Sequence, residues 1–293
     1  MIGLGYDSIS YRTCKICGGP IKIKPRQTVD GLPVAECLDC GLLFVKDVPV
    51  NKLRSDTDES LDEYYTEIST DKTKFIYCLD LIKSKLNYHN SRLEGKKLLD
   101  IGCGDGYFIS LCQNLGIDSY GYDISPGVVD YAQRKGLKVF SDLDEITEKF
   151  DIITLFDVLE HMENPRRELE NLAKLLKDNG LIFIETPRKC LADFYLSILE
   201  LLRVARSNRV SGEHLQLFTD KSLQKLIDQL PYKIIFHKNK TSLSWGGAEG
   251  ISQYVKNIGI FKPLKWLVAV AVQLLIKINL FGKNKAIILA TNK

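Results

Sequence analysis

The sequence lacks the features of a membrane-spanning, exported or strongly basic protein. Its net charge is only +3 over 293 residues, which by itself does not indicate nucleic-acid binding. The start of the chain has no basic stretch followed by an apolar one, so we expect an uncleaved, cytoplasmic protein. Residues 264–281 are the most apolar long stretch, but their uncharged run, 266–276, is shorter than the roughly 20 residues that cross a bilayer. We also find no internal repeat and no low-complexity tract.

Cysteine pairs occur only near the start of the chain. Cys14 and Cys17 form one C-x-x-C pair and Cys37 and Cys40 form another, with 19 residues between the pairs and a glycine after each. Four thiolates in this arrangement suit a tetrahedral Zn²⁺ ion with no open position. We therefore predict a structural zinc ribbon over residues 1–48, stabilised largely by its metal. Four unligated cysteines or two disulfides are the alternatives.

The rest of the chain divides into a linker and a large domain. Residues 49–95 begin as an acidic, polar stretch and lead into N-terminal helices. Strand and helix patterns alternate through residues 96–293, which predicts an α/β domain with a doubly wound, mostly parallel sheet of seven strands. Residues 187–215 and 241–284 do not fit this alternation. We interpret them as insertions that project from the sheet, where substrate sites form.

Local signals predict four helix boundaries in this domain. Asn164 and Pro165 are typical of an N-cap and first turn. Gly180 is expected to end that helix, before a strand over residues 181–185. Thr219 is predicted to cap a further helix, which Pro231 stops.

The first predicted strand, residues 97–101, runs into a glycine-rich turn within LLDIGCGDG at residues 98–106. Glycines let the backbone turn tightly and approach a ligand. Nicotinamide dinucleotide sites share such a loop, but their G-x-G-x-x-G pattern requires glycine where this sequence has Tyr107. Asp100 would repel a pyrophosphate, yet its carboxylate can hold the ammonium end of methionine, directly or through water. The stretch therefore favours a methyl-donor site.

Carboxylates also follow the next two predicted strands. Asp123, in GYDIS, comes 23 residues after Asp100, where a carboxylate can accept both hydroxyls of a ribose. Asp142 follows the third predicted strand, where an adenine amine would lie. Each of these two residues alone is also explained as a solvated carboxylate at the end of a strand. Together with the glycine stretch they favour a donor that carries a nucleoside.

LDIGCGDG, GYDIS and DIITLFDVLEHMENP resemble three successive motifs of Rossmann-like (class I) S-adenosylmethionine-dependent methyltransferases. The resemblance covers roughly residues 95–293 in the order of elements. It implies that Asp100, Gly102 and Gly104 bind the methionine end of S-adenosylmethionine and that Asp123 binds the ribose.

The same resemblance implies the remaining contacts of the donor. Asp142 and Leu143 would contact the adenine, although the match is loose there. Phe156 and Asp157 would line the cleft in which the methyl group is transferred.

The stretches CKICGGP and ECLDCGLLFV, followed by an acidic segment and a tyrosine pair, are similar to a bacterial subgroup of these methyltransferases that carries an N-terminal ribbon. Members usually have a proline-rich segment after the second cysteine pair, and here prolines are few. The subgroup tends to act on sugars, lipid-linked glycans or secondary metabolites. The resemblance implies that Tyr64 and Tyr65 approach the cofactor or substrate, with helix packing as the alternative.

Transfer to a hydroxyl requires a base, and histidine suits that role near neutral pH. His214, with Glu213 beside it in GEHLQLF, is the preferred base, and anchoring of the insertion is its alternative role. His161, in DVLEH, is the second candidate, with a structural or cofactor-loop role as the alternative. Asp157, Glu160 and the two histidines also resemble the E-x-x-E-H metal site of some RNA-end and quinone methyltransferases, with Asp in the first position.

The end of the sequence contains no acidic residue. Residues 251–293 carry seven lysines and no Asp or Glu, and apolar residues between 266 and 278 recur on one helical face. This pattern is typical of an interfacial amphipathic helix, so residues 262–281 are a candidate for peripheral contact with the inner membrane face. An internal lid helix or a dimer interface is the alternative.

The leading functional interpretation is methyl transfer from S-adenosylmethionine to a small-molecule, sugar or lipid-linked glycan acceptor, at oxygen. An RNA methyltransferase whose ribbon binds nucleic acid is the alternative. Against it, the ribbon is not strongly basic and offers few aromatic residues for base stacking. A cofactor-binding scaffold without activity is a third interpretation, which the intact glycine stretch and Asp123 disfavour.

Overall fold

The computed structural model describes residues 8–27, 32–49, 73–85, 93–190, 214–240 and 283–292. The described residues form two compact units. One unit contains the described residues up to 49 and those within 187–225 and 238–287. The other contains the described residues within 50–186, 226–237 and 288–293. Our predictions for Tyr64, Tyr65, Glu213 and residues 262–281 lie outside the described residues. The predicted boundaries at 1–48, 49–95 and 96–293 stay predictions.

Strands and helices alternate along most of the described chain. The strands are β1 (Ser8–Ser10), β2 (Ile21–Gln27), β3 (Pro33–Cys37), β4 (Leu43–Val45), β5 (Asp47–Pro49), β6 (Lys97–Ile101), β7 (Asp118–Tyr122), β8 (Lys138–Phe140), β9 (Phe150–Phe156), β10 (Leu176–Pro187), β11 (Gln216–Leu217), β12 (Tyr232–Lys240) and β13 (Lys285–Asn292). The helices are α1 (Thr73–Lys85), α2 (Tyr107–Asn114), α3 (Pro126–Arg134), α4 (Pro165–Leu175) and α5 (Asp220–Asp228). A 3-10 helix covers Leu143–Glu145.

The larger sheet has seven strands in the order β12-β13-β10-β9-β6-β7-β8. Its pairs from β10 to β8 are parallel, and its central strands are apolar because both faces are covered, so that Ile152, Ile153 and Leu155 of β9 are fully buried. The chain adds β7 and β8 on one side of β6, then β9 and β10 on the other. Ligands bind at such a change of direction, beyond the carboxyl ends of the strands. The predicted α/β class with a mostly parallel seven-stranded sheet is confirmed.

Two predicted helix starts have side-chain caps. Asn164 accepts a hydrogen bond from the backbone N–H of Arg167 at 3.1 Å, and Pro165 begins α4. Thr219 and Ser222 cap each other's backbone at the start of α5, since each hydroxyl accepts from the other residue's N–H. Both N-cap predictions are therefore confirmed.

The predicted end of α4 is wrong. The helix ends at Leu175, and β10 begins at Leu176, which pairs with Phe150. The pairing register shifts before Leu181, where Asn179 takes a φ of 59°. Tertiary pairing of a buried leucine thus outweighs the local stop signal at Gly180.

The other unit contains two antiparallel sheets. β1 pairs with β5, and a four-stranded sheet has the order β11-β4-β3-β2. Its outer strand β11 comes from far along the chain, with Gln216 opposite Phe44 and Leu217 opposite Leu43. Among the residues with described positions, no helix is long and apolar enough to cross a bilayer.

Candidate functional site

The glycine-rich turn between β6 and α2 folds over the end of β7. The backbone N–H groups of Gly102 and Cys103 both donate to the carbonyl of Tyr122, at 2.7 and 3.1 Å. Gly102 has a φ of 66°, and a Cβ there would lie 2.5 Å from Cγ2 of Val158. Both the backbone conformation and the available space therefore require glycine at position 102.

Asp123 fixes this turn at the carboxyl end of β7. One carboxylate oxygen accepts from the N–H of Gly104 at 3.1 Å, and the other accepts from the N–H of Ser125 at 3.0 Å. Burial raises the pKa of Asp123, while these two backbone bonds oppose the rise. A carboxylate has about four acceptor positions, so capacity remains for two ligand hydroxyls.

Asp100 lies one residue before the end of β6 and is only 4% exposed. Its Oδ1 accepts a hydrogen bond from the hydroxyl of Thr154 on neighbouring β9, at 2.7 Å. Burial raises the pKa of Asp100 to about 7, and the Thr154 bond and the charge of Lys74 oppose that rise. The carboxyl end of β6 therefore contains a carboxylate that a cationic ligand would hold in the ionised form.

Lys74, in the first turn of α1, is a site residue that sequence reasoning missed. Its ammonium lies 3.4 Å from Oδ2 of Asp157 and 5.7 Å from the centre of the Phe156 ring. It also acts electrostatically on Asp100. The carboxyl ends of β6 and β9 thus have a cation beside two carboxylates, which suits a ligand carrying both an ammonium and a carboxylate. No local sequence signal marks a single lysine that follows a polar stretch.

Aromatic rings pack around Phe156 at the end of β9. Its ring packs edge-on against Phe75 and Phe108, with centroids 4.9 and 5.0 Å away, and lies 5.2 Å from Phe183. The next residue, Asp157, takes a φ of 58°, which is uncommon for a residue with a Cβ. The strand therefore ends in a sharp turn that places an aspartate beyond a rigid aromatic cluster.

Asp142 has a local structural role in the described chain. Its side chain caps the 3-10 helix by accepting from the N–H of Asp144 at 2.9 Å. Asp142 is exposed, and Leu143 is half-buried. Their predicted contact with adenine stays a prediction.

The two candidate bases have different surroundings and belong to different units. His161 is exposed, with Nε2 3.9 Å from Oε1 of Glu160. Glu160 is buried and accepts from the hydroxyl of Thr186 at 2.9 Å. His214 directly precedes Leu215, whose carbonyl accepts from the N–H of Val45 at 2.9 Å. Catalytic roles for both histidines stay predictions.

The four paired cysteines converge in the other unit. Their sulfurs all lie within 4.8 Å of one another, with Cys14 and Cys40 at 3.6 Å and Cys17 and Cys37 at 3.5 Å. Four sulfurs at about 2.3 Å from a tetrahedral zinc would be about 3.8 Å apart. All four are free thiols, since a disulfide would bring two sulfurs to about 2.05 Å. The donor set therefore fits a tetrahedral thiophilic ion.

The backbone of both C-x-x-C pairs also supports ligation by sulfur. Gly18 and Gly41, which follow the pairs, have φ values of 70° and 73°. The N–H of Cys40 points to the sulfur of Cys37 at 3.3 Å. A hydrogen bond from Cys40 lowers the pKa of Cys14 to about 5 and raises that of Cys40. Burial raises the pKa of Cys17 as well, and because metal ligation requires thiolates, binding would release protons from these thiols.

Comparison with known proteins identifies the class to which this fold and pocket belong. The family model for a methyltransferase domain matches residues 74–235, more than half of the chain. The chain therefore belongs to this methyltransferase family, in the class of S-adenosylmethionine-dependent enzymes. The described cysteine pairs lie outside the matched residues.

The curated relatives include proteins named ubiquinone biosynthesis O-methyltransferase from several bacteria. That of Photobacterium profundum is 29% identical over 164 residues, which span 50% of this chain and 69% of the relative. That of Xanthomonas oryzae pv. oryzae is 30% identical over 135 residues, or 42% of this chain and 56% of the relative. The matches thus span part of each relative's length.

A solved structure supports the fold. Magnesium protoporphyrin IX methyltransferase from Synechocystis PCC 6803, with bound S-adenosylhomocysteine, has a TM-score of 0.50 and 17% identity to this chain. The match covers 83% of this chain and 92% of that protein. At this identity the likeness establishes the fold alone.

Proposed function

We propose that this protein transfers the methyl group of S-adenosylmethionine to a hydroxyl oxygen of a small-molecule acceptor, a class that includes sugars and lipid-linked glycans. The observation that carries the proposal is the charge arrangement beside the glycine turn, where Asp100 and Lys74 match the ammonium and carboxylate of an amino acid. The O-methyltransferase names of the two relatives support oxygen as the acceptor atom.

In this proposal each part of the pocket binds one part of the donor. Asp100 holds the ammonium of the methionine end and Lys74 holds its carboxylate. The backbone of Gly102 and Gly104 lies against the same end, and Asp123 accepts the two ribose hydroxyls. Asp142 and Leu143 would contact the adenine.

Methyl transfer requires the protein mainly to align the acceptor with the methyl group of the donor. S-adenosylmethionine supplies an electrophilic methyl group on a sulfonium when bound, and holding the acceptor in line with it supplies much of the rate. Phe156 and Asp157 would line this cleft. The rigid ring cluster around Phe156 would keep water from the reacting atoms.

For the acceptor proton we propose His214 as the base, with His161 as the second candidate. Replacing each separately with glutamine tests the assignment. The base variant keeps its affinity for S-adenosylhomocysteine, loses turnover, and loses the rise of activity with pH that histidine deprotonation produces. Full activity in both variants would exclude both residues.

The experiment for the activity uses methyl-labelled S-adenosylmethionine with separate small-molecule, glycan and RNA fractions of a bacterial extract. The expected result is label in a small-molecule or glycan product, bound through oxygen. The Asp123→Ala variant serves as the inactive control. Label confined to RNA, or attached to nitrogen, would contradict the proposal.

We also propose that Cys14, Cys17, Cys37 and Cys40 bind one structural zinc, as in the ribbon-bearing bacterial subgroup that the sequence resembles. The fit of the four sulfurs to a tetrahedral ion supports this. Elemental analysis should find one zinc per chain, lost in Cys37→Ser and retained in Cys190→Ser, whose cysteine lies apart from the two pairs in the sequence. Equal metal content in the two variants would contradict the assignment.

A further inference from the structure

The ends of both predicted insertions meet in one polar network. Arg188 donates to both carboxylate oxygens of Asp220, from Nε at 3.1 Å and from Nη2 at 2.7 Å. Its Nη1 donates to the carbonyl of Lys283 at 2.7 Å. The amide of Asn239 donates to the same Asp220 carboxylate, at 3.0 and 3.1 Å. Arg188 and Asp220 thus join the beginning and end of insertion 187–215 to those of insertion 241–284.

Main-chain bonds reinforce this junction. The N–H of Arg188 donates to the carbonyl of Asn284 at 2.8 Å, and the N–H of Lys189 donates to the carbonyl of Phe218 at 2.6 Å. Arg188 and Phe218 also form a parallel bridge. Bidentate arginine–carboxylate pairs are geometrically specific, so the junction has a defined arrangement.

The cysteine-bearing sheet is attached to the same junction. β11 pairs with β4, and the N–H of Val45 donates to the carbonyl of Leu215 at 2.9 Å. Lys189 forms an ion pair with Glu36 of β3. The residues on both sides of the first insertion are therefore held by the strands that carry and follow the cysteines.

The hydroxyl of Thr219 links the second cysteine pair directly to α5. It donates to the carbonyl of Cys40 at 2.6 Å and accepts from the N–H of Ser222 at 3.0 Å. The methyl group of Thr219 would lie 3.1 Å from a Cβ at Gly41. One side chain therefore contacts a metal-binding turn and starts the helix whose first residue is Asp220.

We propose that metal binding by the four cysteines orders the described ends of both insertions, with Thr219 and the Arg188–Asp220 pair as the positioning residues. Metal binding fixes the turn that contains Cys40. The hydrogen bond from Thr219 to Cys40 then fixes the start of α5. Asp220, the first residue of that helix, binds Arg188 and Asn239. The order of these ends then depends on the metal, whereas donor affinity does not. The inference rests on the proposed zinc site.

The first test measures amide hydrogen exchange in the zinc-loaded full chain before and after chelation. Chelation should accelerate exchange at the amides of Val45, Arg188 and Lys189, and leave the reference strand β7 unchanged. Affinity for S-adenosylhomocysteine should stay within about twofold, which corresponds to about 0.4 kcal/mol. Unchanged exchange at these three amides would overturn the inference.

A second test keeps the metal and breaks the link. Thr219→Val removes the bond to Cys40 and the helix cap, and Thr219→Ser keeps both. Ser222→Ala weakens the cap but keeps the bond to Cys40. With one zinc retained, Thr219→Val should accelerate exchange at Arg188 and Lys189 roughly three- to tenfold, the effect of one hydrogen bond, and Thr219→Ser should restore protection.

The controls separate the possible failures. If Ser222→Ala accelerates exchange at Arg188 and Lys189 as much as Thr219→Val does, the effect comes from the helix cap and the positioning role is wrong. If elemental analysis finds no zinc in the wild-type chain, the zinc proposal fails first. Zinc in every variant, with identical exchange in all of them, would refute the positioning role alone.

Discussion

The ammonium of Lys74 lies 3.4 Å from the carboxylate of Asp157, a residue 83 positions further along the chain. The pair joins the first turn of α1 to the end of β9 and places a positive charge near Asp100. When a zwitterionic ligand end binds, its carboxylate would pair with Lys74 and its ammonium with a protein carboxylate, in place of the Lys74–Asp157 pair. Donor binding should therefore depend on Lys74 through charge.

Replacing Lys74 with methionine tests this dependence. The change keeps the length of the side chain and removes its charge, so affinity for S-adenosylhomocysteine should fall roughly tenfold, as expected for one hydrogen bond to a charged group. Titration calorimetry with 5′-methylthioadenosine, which lacks the amino-acid end, should give the wild-type affinity. Lys74→Arg should retain binding, and Lys83→Met on the same helix is the control. Equal losses for both ligands would assign Lys74 a role in folding instead.

Asp100 should give donor binding a dependence on pH. Its carboxyl is buried, with a pKa raised to about 7, and only the ionised form attracts an ammonium. Affinity for S-adenosylhomocysteine should therefore increase with pH up to about 7, by roughly tenfold per unit well below the pKa, and then level off. Calorimetry from about pH 5.5 to about pH 8.5, which brackets that pKa, measures this, and Asp100→Asn should bind weakly at every pH. A wild-type profile as flat as that of the variant would contradict the assignment.

The same group has the opposite effect on the stability of the unliganded fold. The pKa of Asp100 is raised from 3.8 to about 7, so the folded chain binds more protons than the unfolded chain between these values. The free energy of unfolding should therefore fall as pH rises through this window. Urea unfolding at about pH 5 and about pH 8 should reveal a larger fall for the wild type than for Asp100→Asn. An equal fall in the free energy of unfolding in both proteins would mean that a group other than Asp100 titrates in this window.

Replacing Asp123 should weaken the binding of both S-adenosylhomocysteine and 5′-methylthioadenosine, whereas replacing Lys74 should weaken only the binding of S-adenosylhomocysteine. An asparagine has one acceptor oxygen, so Asp123→Asn cannot satisfy Gly104 and Ser125 and also two ribose hydroxyls. We expect affinity to fall by at least about tenfold for S-adenosylhomocysteine and for 5′-methylthioadenosine alike. Asp118→Asn, at the other end of the same strand, is the matched control. A loss of affinity for only one of the two ligands would contradict the assignment of Asp123 to the ribose.

Gly102 should not tolerate even one added carbon. Alanine there has an unfavourable φ of 66° and lies 2.5 Å from Val158, so the turn must move and donor affinity should be lost. Gly127→Ala on α3 points into open space and should stabilise the fold by about 0.4–1 kcal/mol. Thermal unfolding with and without S-adenosylhomocysteine compares the two. A normal ligand-induced shift in Gly102→Ala would mean that the turn does not contact the donor.

Strong local patterns predicted much of the fold. β6 occupies residues 97–101 as predicted, because its apolar run and the following glycine turn determine both ends. Asn164 and Thr219 cap their helices because an N-cap is determined by neighbouring residues. The cysteine spacing likewise predicted a cluster of four sulfurs.

Long-range relationships were not visible in the sequence. Lys74 reaches Asp157 only because α1 packs beside the sheet, and no periodicity marks that contact. The two-residue strand β11 is too short for any pattern, so its pairing with Leu43 and Phe44 was missed. Gly180 signalled the end of a helix that had already ended at Leu175, because pairing with β9 determines where the strand begins.

The shared attachment of the insertions at Arg188 and Asp220 has an evolutionary consequence. Chain between the ends of each insertion can be added, shortened or rewritten without altering a bond of the junction, because its donors and acceptors belong to those ends and to the residues next to them. The length and content of the insertions can therefore vary while these few anchoring side chains stay the same.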